Sequence, residues 1–386
     1  MMGYGMITVL IPLFVKEQGG GAAIAGLLNS LYAFMQLLSG PVIGALSDRF
    51  GRKPVLLVCL TGTAMAFLLL GVSNSLGWII AAIALDGITG GNMTVAYAYI
   101  ADITTTKNRA RGMGIVGAAF GLGMMIGPAL GGLLSNVSLH LPAFVACGIA
   151  LADIVFGLVA LPESLPIGMR SSAIDISRLN PISQLAGLPK LGTILRLLVC
   201  MFLLNVAFSG LQTNFPLYAQ SRFAWEPMRI GLFFAFVGVC SVVVQGGVFN
   251  LVVHRVGEPR LVLVGLLLMS VGLGLIAVTQ TDALLYPIVA LATLGTGLAI
   301  PSLSGLVSTR VSGAQQGKLM GGVQALLSIA LIAGPTVAGL TFDQFGTGAP
   351  YAFGALFAAA ALAVAWSEFA KRNQAQTDSP SHGLLR

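Results

Sequence analysis

Charge is scarce in this chain. Only 9% of its 386 residues are Asp, Glu, Lys or Arg, 56% are hydrophobic, and mean hydropathy is +0.92. Soluble domains carry about a quarter charged residues, so the composition excludes a soluble globule of this length. Cysteine is sparse too: Cys59, Cys147, Cys200 and Cys240 sit inside apolar runs, without CxxC spacing or neighbouring histidine. That excludes a disulfide framework and a metal site and leaves them as small core residues. The three histidines, His140, His254 and His382, fall in loops or the tail and read as solvated groups rather than a proton relay. A nucleophile and base pair, a metal cluster and a phosphate loop are all missing, and glycines 19–21 are not followed by Lys-Ser or Lys-Thr. The sequence therefore argues against an enzyme and implies neither cofactor nor metal.

What is abundant is apolar runs. The net charge of +7 is spread over short loops between runs of about 18 or more apolar residues, which signals membrane topology and not nucleic-acid binding. Twelve helices are predicted: a short one ending near 15, then 22–46, 54–73, 76–101, 112–134, 142–161, 194–218, 229–252, 260–279, 283–308, 319–342 and 350–370. The first is shorter than the about 20 residues a spanning helix needs, so the chain is expected to begin partway through it. No charged leading segment or small-residue cleavage site marks a signal peptide. Residues 162–193, with Arg170, Arg178 and Lys190, form the longest polar stretch and read as a linker between an N-terminal bundle (1–161) and a C-terminal bundle (194–370), with a tail at 371–386. If that linker is cytoplasmic, seventeen of the twenty Lys and Arg lie inside and only Lys16, Arg222 and Arg229 outside. The expectation is a multi-pass protein of the cell (inner) membrane with both termini cytoplasmic, embedded in lipid and sufficient as a monomer.

An internal repeat supports the division. Gly127-Pro128 followed by Gly132 recurs at one spacing as Gly334-Pro335 followed by Gly339, and Gly40 and Gly247 match at the same spacing. The predicted fold is an all-α membrane protein of two six-helix bundles related by a pseudo-two-fold axis, the arrangement a rocker-switch transporter requires. Gly123, Gly127 and Gly131 lie four apart and share one helix face on which another backbone can pack, with Gly132 beside them and Pro128 bending the helix. Residues 44–53, GALSDRFGRK, form a tight polar turn between two helices. There Gly44 allows close helix approach, Asp48 suits a helix N-terminus, Gly51 permits a turn, and Arg49, Arg52 and Lys53 hold one side of the membrane.

In spacing this turn resembles the signature loop of the major facilitator superfamily, G-x-L-[AS]-D-[RK]-x-G-R-[RK]. The glycine run of the fifth helix is similar to the G-x-x-x-G-P-x-x-G-G motif of its drug/proton antiporters, and Gly87-Ile88-Thr89-Gly90 and Leu161-Pro162-Glu163-Ser164 extend the resemblance over most of the chain. The resemblance implies the major facilitator fold and the twelve-helix antiporter branch, nearest to the tetracycline and multidrug exporters of antibiotic resistance. It further implies a cytoplasmic latch, with Asp48 against the N-terminal end of the eleventh helix near Gly317 to Gly321 and Arg52 paired with Asp102. Two positions depart from the pattern. Ile83 stands where the family's fourth helix has an Arg, and the acid that tetracycline exporters carry three residues before Gly3 would fall upstream of Met1.

Asp86 and Asp153 are the acids placed well inside predicted helices. A carboxylate there costs about 2.5–3.5 kcal/mol on insertion scales, so each should face a cavity, a partner or a proton path. Asp86, in the fourth helix, is the preferred group for proton coupling or cation binding, with structural hydrogen bonding as the alternative; for Asp153, in a helix peripheral in this fold, the structural role leads. Tyr4, Tyr32, Gln36, Asn92, Tyr97, Asn205, Gln212, Asn214, Gln245 and Gln324 are candidates to line a substrate cavity or to bond neighbouring helices, while Phe208, Phe234 and Trp366 are expected to face lipid at least as readily. The reading is proton-coupled efflux of small amphipathic compounds, tetracycline-like or cationic, by alternating access. The alternative is an uncoupled or proton-symport carrier of a metabolite such as a sugar or organic acid.

Overall fold

The computed structural model describes residues 2–105, 108–171, 194–309 and 313–377. Among them the α-helices fall into twelve successive groups, with short 3-10 turns at Ile167–Met169 and Asp282–Leu284 and no strand. The N-terminal bundle contains α1 (Met2–Thr8 and Ile11–Glu17), α2 (Ala22–Phe50), α3 (Arg52–Gly71), α4 (Leu76–Thr89 and Asn92–Ile103), α5 (Arg109–Ser135) and α6 (Leu141–Ala160). The C-terminal bundle contains α7 (Leu195–Phe223), α8 (Pro227–Val243, continuing to Val256), α9 (Glu258–Val278), α10 (Leu285–Thr309), α11 (Gly313–Phe345) and α12 (Ala349–Thr377). Ten described segments are long and apolar enough to cross a membrane, and Gly121–Ser135 of α5 is a shorter apolar run. The protein is an integral, multi-pass membrane protein. The face bearing Arg49, Arg52, Lys53, Arg255 and Arg260 is called the basic face below.

Two helices expected to be continuous are broken. Pro12 occupies the first turn of the second piece of α1. Its ring would clash with the carbonyl four residues earlier, that of Thr8, which is where the first piece ends. In α4 the break falls at Gly90-Gly91, residues of poor helix propensity, and a side chain at 91 would collide with Ile43 of α2. Irregular backbone at membrane depth is tolerated where it is buried or lines a cavity; the α1 break, at buried Val9 and Leu10, lies beside the recess lined by Thr8 and Ile11, and the α4 break lies beside the cavity lined by Gly90 and Asn92. α8 contains a π-helical turn at Val244–Val248, and α12 runs past the expected end at 370 to Thr377.

The repeat seen in the sequence is repeated in packing. Gly127 and Gly131 of α5 lie against the backbone of α1 at Met2 to Met6, and Gly123 meets Gly5, so the glycine face is a helix-helix contact within the N-terminal bundle. Gly132 and Pro128 instead meet Gly231 of α8, across the bundle boundary. In the second half Gly334 packs on Val206 and Ser209 of α7, while Pro335 and Gly339 meet Gly26 and Ala22 of α2. Each motif thus joins a helix of its own bundle to one of the other, forming two seams, α5/α8 and α2/α11.

Both seams are tight in the half away from the basic face. The Ser30 hydroxyl lies 2.5 Å from the Ile332 carbonyl and 2.7 Å from Thr336 Oγ1, and Gly238 packs on Met125. Nearer the basic face, side chains at Gly40, Gly121, Gly246 and Gly247 would meet nothing within 4 Å. The seams therefore part toward that face.

Candidate functional site

The break in α4 and the first piece of α1 border a cavity of about 220 Å³ lined mostly by the N-terminal half, with Leu331 of α11 contributing from the other half. Tyr4, Tyr32, Gln36, Asp86, Asn92 and Asp153 all line it. The rings of Tyr4 and Tyr32 lie 5.3 Å apart, and Gln36 Nε2 donates to the Gly90 carbonyl at 3.1 Å, the acceptor freed where α4 breaks. Asp86 faces this space together with Thr63 of α3. Among the described residues no cation forms an ion pair with either acid. The cavity thus collects carboxylate, phenol and amide groups in an apolar wall, a setting that can bind a cation or proton and orient an amphipathic ligand.

Asp153, for which the structural role leads in the sequence, lines the same cavity as Asp86, beside Leu60 and Thr63 of α3. The sequence could not show this, since helical periodicity says which residues share a face of α6 but not which neighbour that face meets.

The other polar candidates scatter. Gln212 lines a separate recess of about 40 Å³ among α7 to α10 with Phe208, Phe215, Phe233, Phe234, Thr293 and Thr296. Phe208 and Phe234, expected to face lipid at least as readily, face into the C-terminal bundle instead, while Trp366 is exposed. Asn205 donates to the Met201 carbonyl of its own helix at 2.7 Å, and Asn214 is fully buried with neither amide atom bonded. Tyr97, Gln245 and Gln324 are exposed and line neither cavity. His140 is not the solvated histidine expected: its ring packs edge-on against Phe14 at 5.2 Å, with Nε2 3.5 Å from Glu17. His254 is exposed, and His382 lies outside the described residues. Cys59, Cys147 and Cys200 are buried, whereas Cys240 is only partly so.

At the basic face, Arg52 sits nearly buried between two carboxylates. Its Nη1 is 2.6 Å from Asp48 Oδ1 and its Nε donates to Asp102 Oδ2 at 2.9 Å. The same Nη1 donates to Ser47 Oγ, and Ser164 adds a bond to Asp102 at 3.2 Å. Gly51 makes the turn with φ of 106°, a conformation that strains any other residue. α3 then begins at Arg52 without a capping side chain of its own. Glu163 of the post-α6 segment supplies the cap, accepting from the Arg52 and Lys53 amides at 2.8 and 3.3 Å, and Lys53 Nζ donates to the Leu158 carbonyl. In the sequence Glu163 stands out only as part of Leu161-Pro162-Glu163-Ser164; its position after a helix-ending proline is the available signal. Gly44 lies near Thr94 and the Arg49 guanidinium covers the Phe50 ring. The expected partner of Asp48, the side chains at 317–321, lies outside the described residues, as do Arg178 and Lys190.

Comparison with known proteins places this geometry in context. The sequence model of the Major Facilitator Superfamily matches residues 1–257 and 247–384. The chain is 32% identical over 339 residues to the class C tetracycline resistance protein of Escherichia coli, covering 87% of this chain and 85% of that one. To the class B protein of the same organism it is 32% identical over 361 residues, covering 89% and 86%. The crystal structure of the human organic anion transporter MFSD10 (TETRAN) superposes with a TM-score of 0.71 at 26% identity, covering 94% of this chain and 95% of that one. The crystal structure of the nucleoside transporter NupG gives 0.72 at 15% identity, covering 96% of each, and so shares the fold.

Proposed function

The chain belongs to the Major Facilitator Superfamily, and on that premise we propose that it exports small amphipathic compounds, tetracycline-like or cationic, in exchange for protons by alternating access. The observation that carries this reading is that Asp86 and Asp153 share one cavity with Tyr4, Tyr32, Gln36 and Asn92. A cation and a proton compete for such a carboxylate, and competition for one site is the simplest way to couple opposite fluxes. The likeness to tetracycline resistance proteins supports the substrate class. In this reading the basic face is cytoplasmic, with both termini there, the membrane is the inner or cell membrane, and a monomer suffices. The structure then represents the inward-open state, with the Asp48–Arg52–Asp102 cluster as part of the cytoplasmic latch and the Gly123, Gly127, Gly131 and Gly132 face as the hinge contact.

The second reading, a carrier of a metabolite such as an organic acid, is favoured by Ile83 in place of the family Arg and by the likeness to an organic anion transporter. Against it, an anion entering the cavity would face two carboxylates with no cation among the lining residues. The deciding experiment is proton flux in proteoliposomes, followed with a pH-sensitive dye on adding tetracyclines, lipophilic cations or organic acids. Drug-triggered flux that disappears in Asp86→Asn is the expected result. Full coupling in Asp86→Asn, or flux with organic acids alone, overturns the reading.

A further inference from the structure

α2 begins in the sequence Gly19-Gly20-Gly21-Ala22, so the residue at its N-cap, Gly21, has no side chain with which to satisfy the first amides of the helix. Such orphan donors need a partner, since unpaired they each forfeit a hydrogen bond. The partner comes from the other bundle. Asp343, near the C-terminal end of α11, accepts from the Ala22 amide at 3.0 Å and the Ala23 amide at 2.8 Å. Its carboxylate is packed so closely on Gly21 that a Cβ there would lie 2.7 Å from Oδ2. A negative charge at a helix N-terminus is also favoured by the helix dipole.

α2 and α11 run antiparallel along one seam, and Asp48 lies near the C-terminal end of α2 at the basic face, as Asp343 lies near that of α11 at the opposite face. We propose that Asp343 is the latch of the face opposite the basic one: it caps α2 across the bundle boundary, holds that seam shut while the basic face is open, and releases when the seam opens. It is the counterpart, at the opposite face, of the Asp48 latch that the family resemblance implies. The inference rests on the alternating-access reading above. In the state seen here one latch is closed and Asp48 is turned instead to its own Arg52, with 54% of its side chain exposed.

Among the described residues the second seam has no acid at the equivalent position. At the spacing of the internal repeat the counterpart of Asp343 is Asn136, whose amide meets Met228 Sδ at the start of α8 at 3.0 Å. The charged cap therefore belongs to one seam, and the same substitution should matter more in α11 than in α5.

The test reads seam opening directly. In the full chain with its four cysteines changed to Ala, Ser30→Cys places a thiol in the closed seam, and its rate of maleimide modification in nanodiscs is measured with and without tetracycline or tetraphenylphosphonium. Asp343→Ala should raise the rate roughly five- to tenfold, as loss of a charged cap would. Asp343→Asn, which keeps an acceptor but not the charge, should raise it less. Gly21→Ser is the control for helix stability, because it gives α2 a cap of its own while displacing the Asp343 carboxylate; it too should raise the rate. A rate that responds to compounds but to neither Asp343→Ala nor Gly21→Ser overturns the latch and leaves the transport reading standing. Faster modification in Asp343→Ala but not in Gly21→Ser overturns the cap as the cause. A rate that responds to the substitutions but to no compound supports the latch and counts against the transport reading.

Discussion

The two bundles place equivalent recesses in equivalent helices, both with mostly apolar walls, and differ in the groups set into them. Among α1 to α4 the apolar wall carries an acid and two phenols, Asp86, Tyr4 and Tyr32; among α7 to α10 it carries four phenylalanines, Phe208, Phe215, Phe233 and Phe234, and no acid. Phe215 and Phe233 stack face to face with centroids 4.4 Å apart and planes 3° apart, and Phe234 meets Phe215 edge-on at 86°. At the spacing of the repeat, Asp86 corresponds to Thr293. A duplicated scaffold thus keeps the packing motif in both halves and the deep acid of the fourth position in one. The duplication is kept where helices must pack on one another and relaxed where a single ionisable group is placed.

The comparison is broken most severely at its symmetric part. Gly127→Leu and Gly334→Leu should be comparably destructive, since each drives a side chain into a neighbouring backbone. Both should reduce the yield of monodisperse protein several-fold on size-exclusion chromatography. If only one does so, the halves are less equivalent in packing than they look. The next largest effect should fall on the asymmetric part. Asp86→Asn should lower drug-driven proton flux by roughly tenfold or more, whereas Thr293→Val should change it less than about twofold, because a coupling step depends on the ionisable group rather than on its position in the fold.

A smaller effect should follow from emptying the aromatic recess. Phe234→Ala removes one edge-to-face partner, worth about 0.5–1.5 kcal/mol beyond burial, and should lower the thermal midpoint by a few degrees in a fluorescence melt. Smallest is Asp153→Asn, expected to shift the concentration of cation giving half-maximal flux by roughly two- to fivefold without abolishing coupling. Asp153 is the more exposed of the two acids lining the cavity. An Asp153→Asn defect as deep as that of Asp86→Asn would make the two acids one coupled unit.

Much of this is legible in the chain alone. Hydropathy gives the segments, the spacing of Gly127-Pro128 and Gly334-Pro335 gives the duplication, and residues 44–53 indicate a family. The helix breaks are partly legible, since Pro12 and Gly90-Gly91 are plain in the sequence, although a proline or glycine within a membrane helix is as often accommodated as not. The site is half legible: Asp86, Tyr4, Tyr32, Gln36 and Asn92 stand out as polar groups in apolar helices and share a cavity, while Gln212 belongs to another and Asn205 to its own helix. Asp343 escapes notice because a lone acid at a helix end looks like any interfacial charge. The missing cap at Gly21 is its signal, and the two are more than 300 residues apart.

Composition, periodicity and repeat determined by themselves that this protein is a duplicated helical bundle in a membrane, because lipid offers backbone groups no partner and apolar runs of this length span it as helices. Which acids meet in one cavity, which carboxylate caps which helix, and which half carries the deep charge were decided by tertiary structure alone. Those contacts join residues distant in the chain, and the face of a helix that meets a neighbour is set by how whole bundles pack.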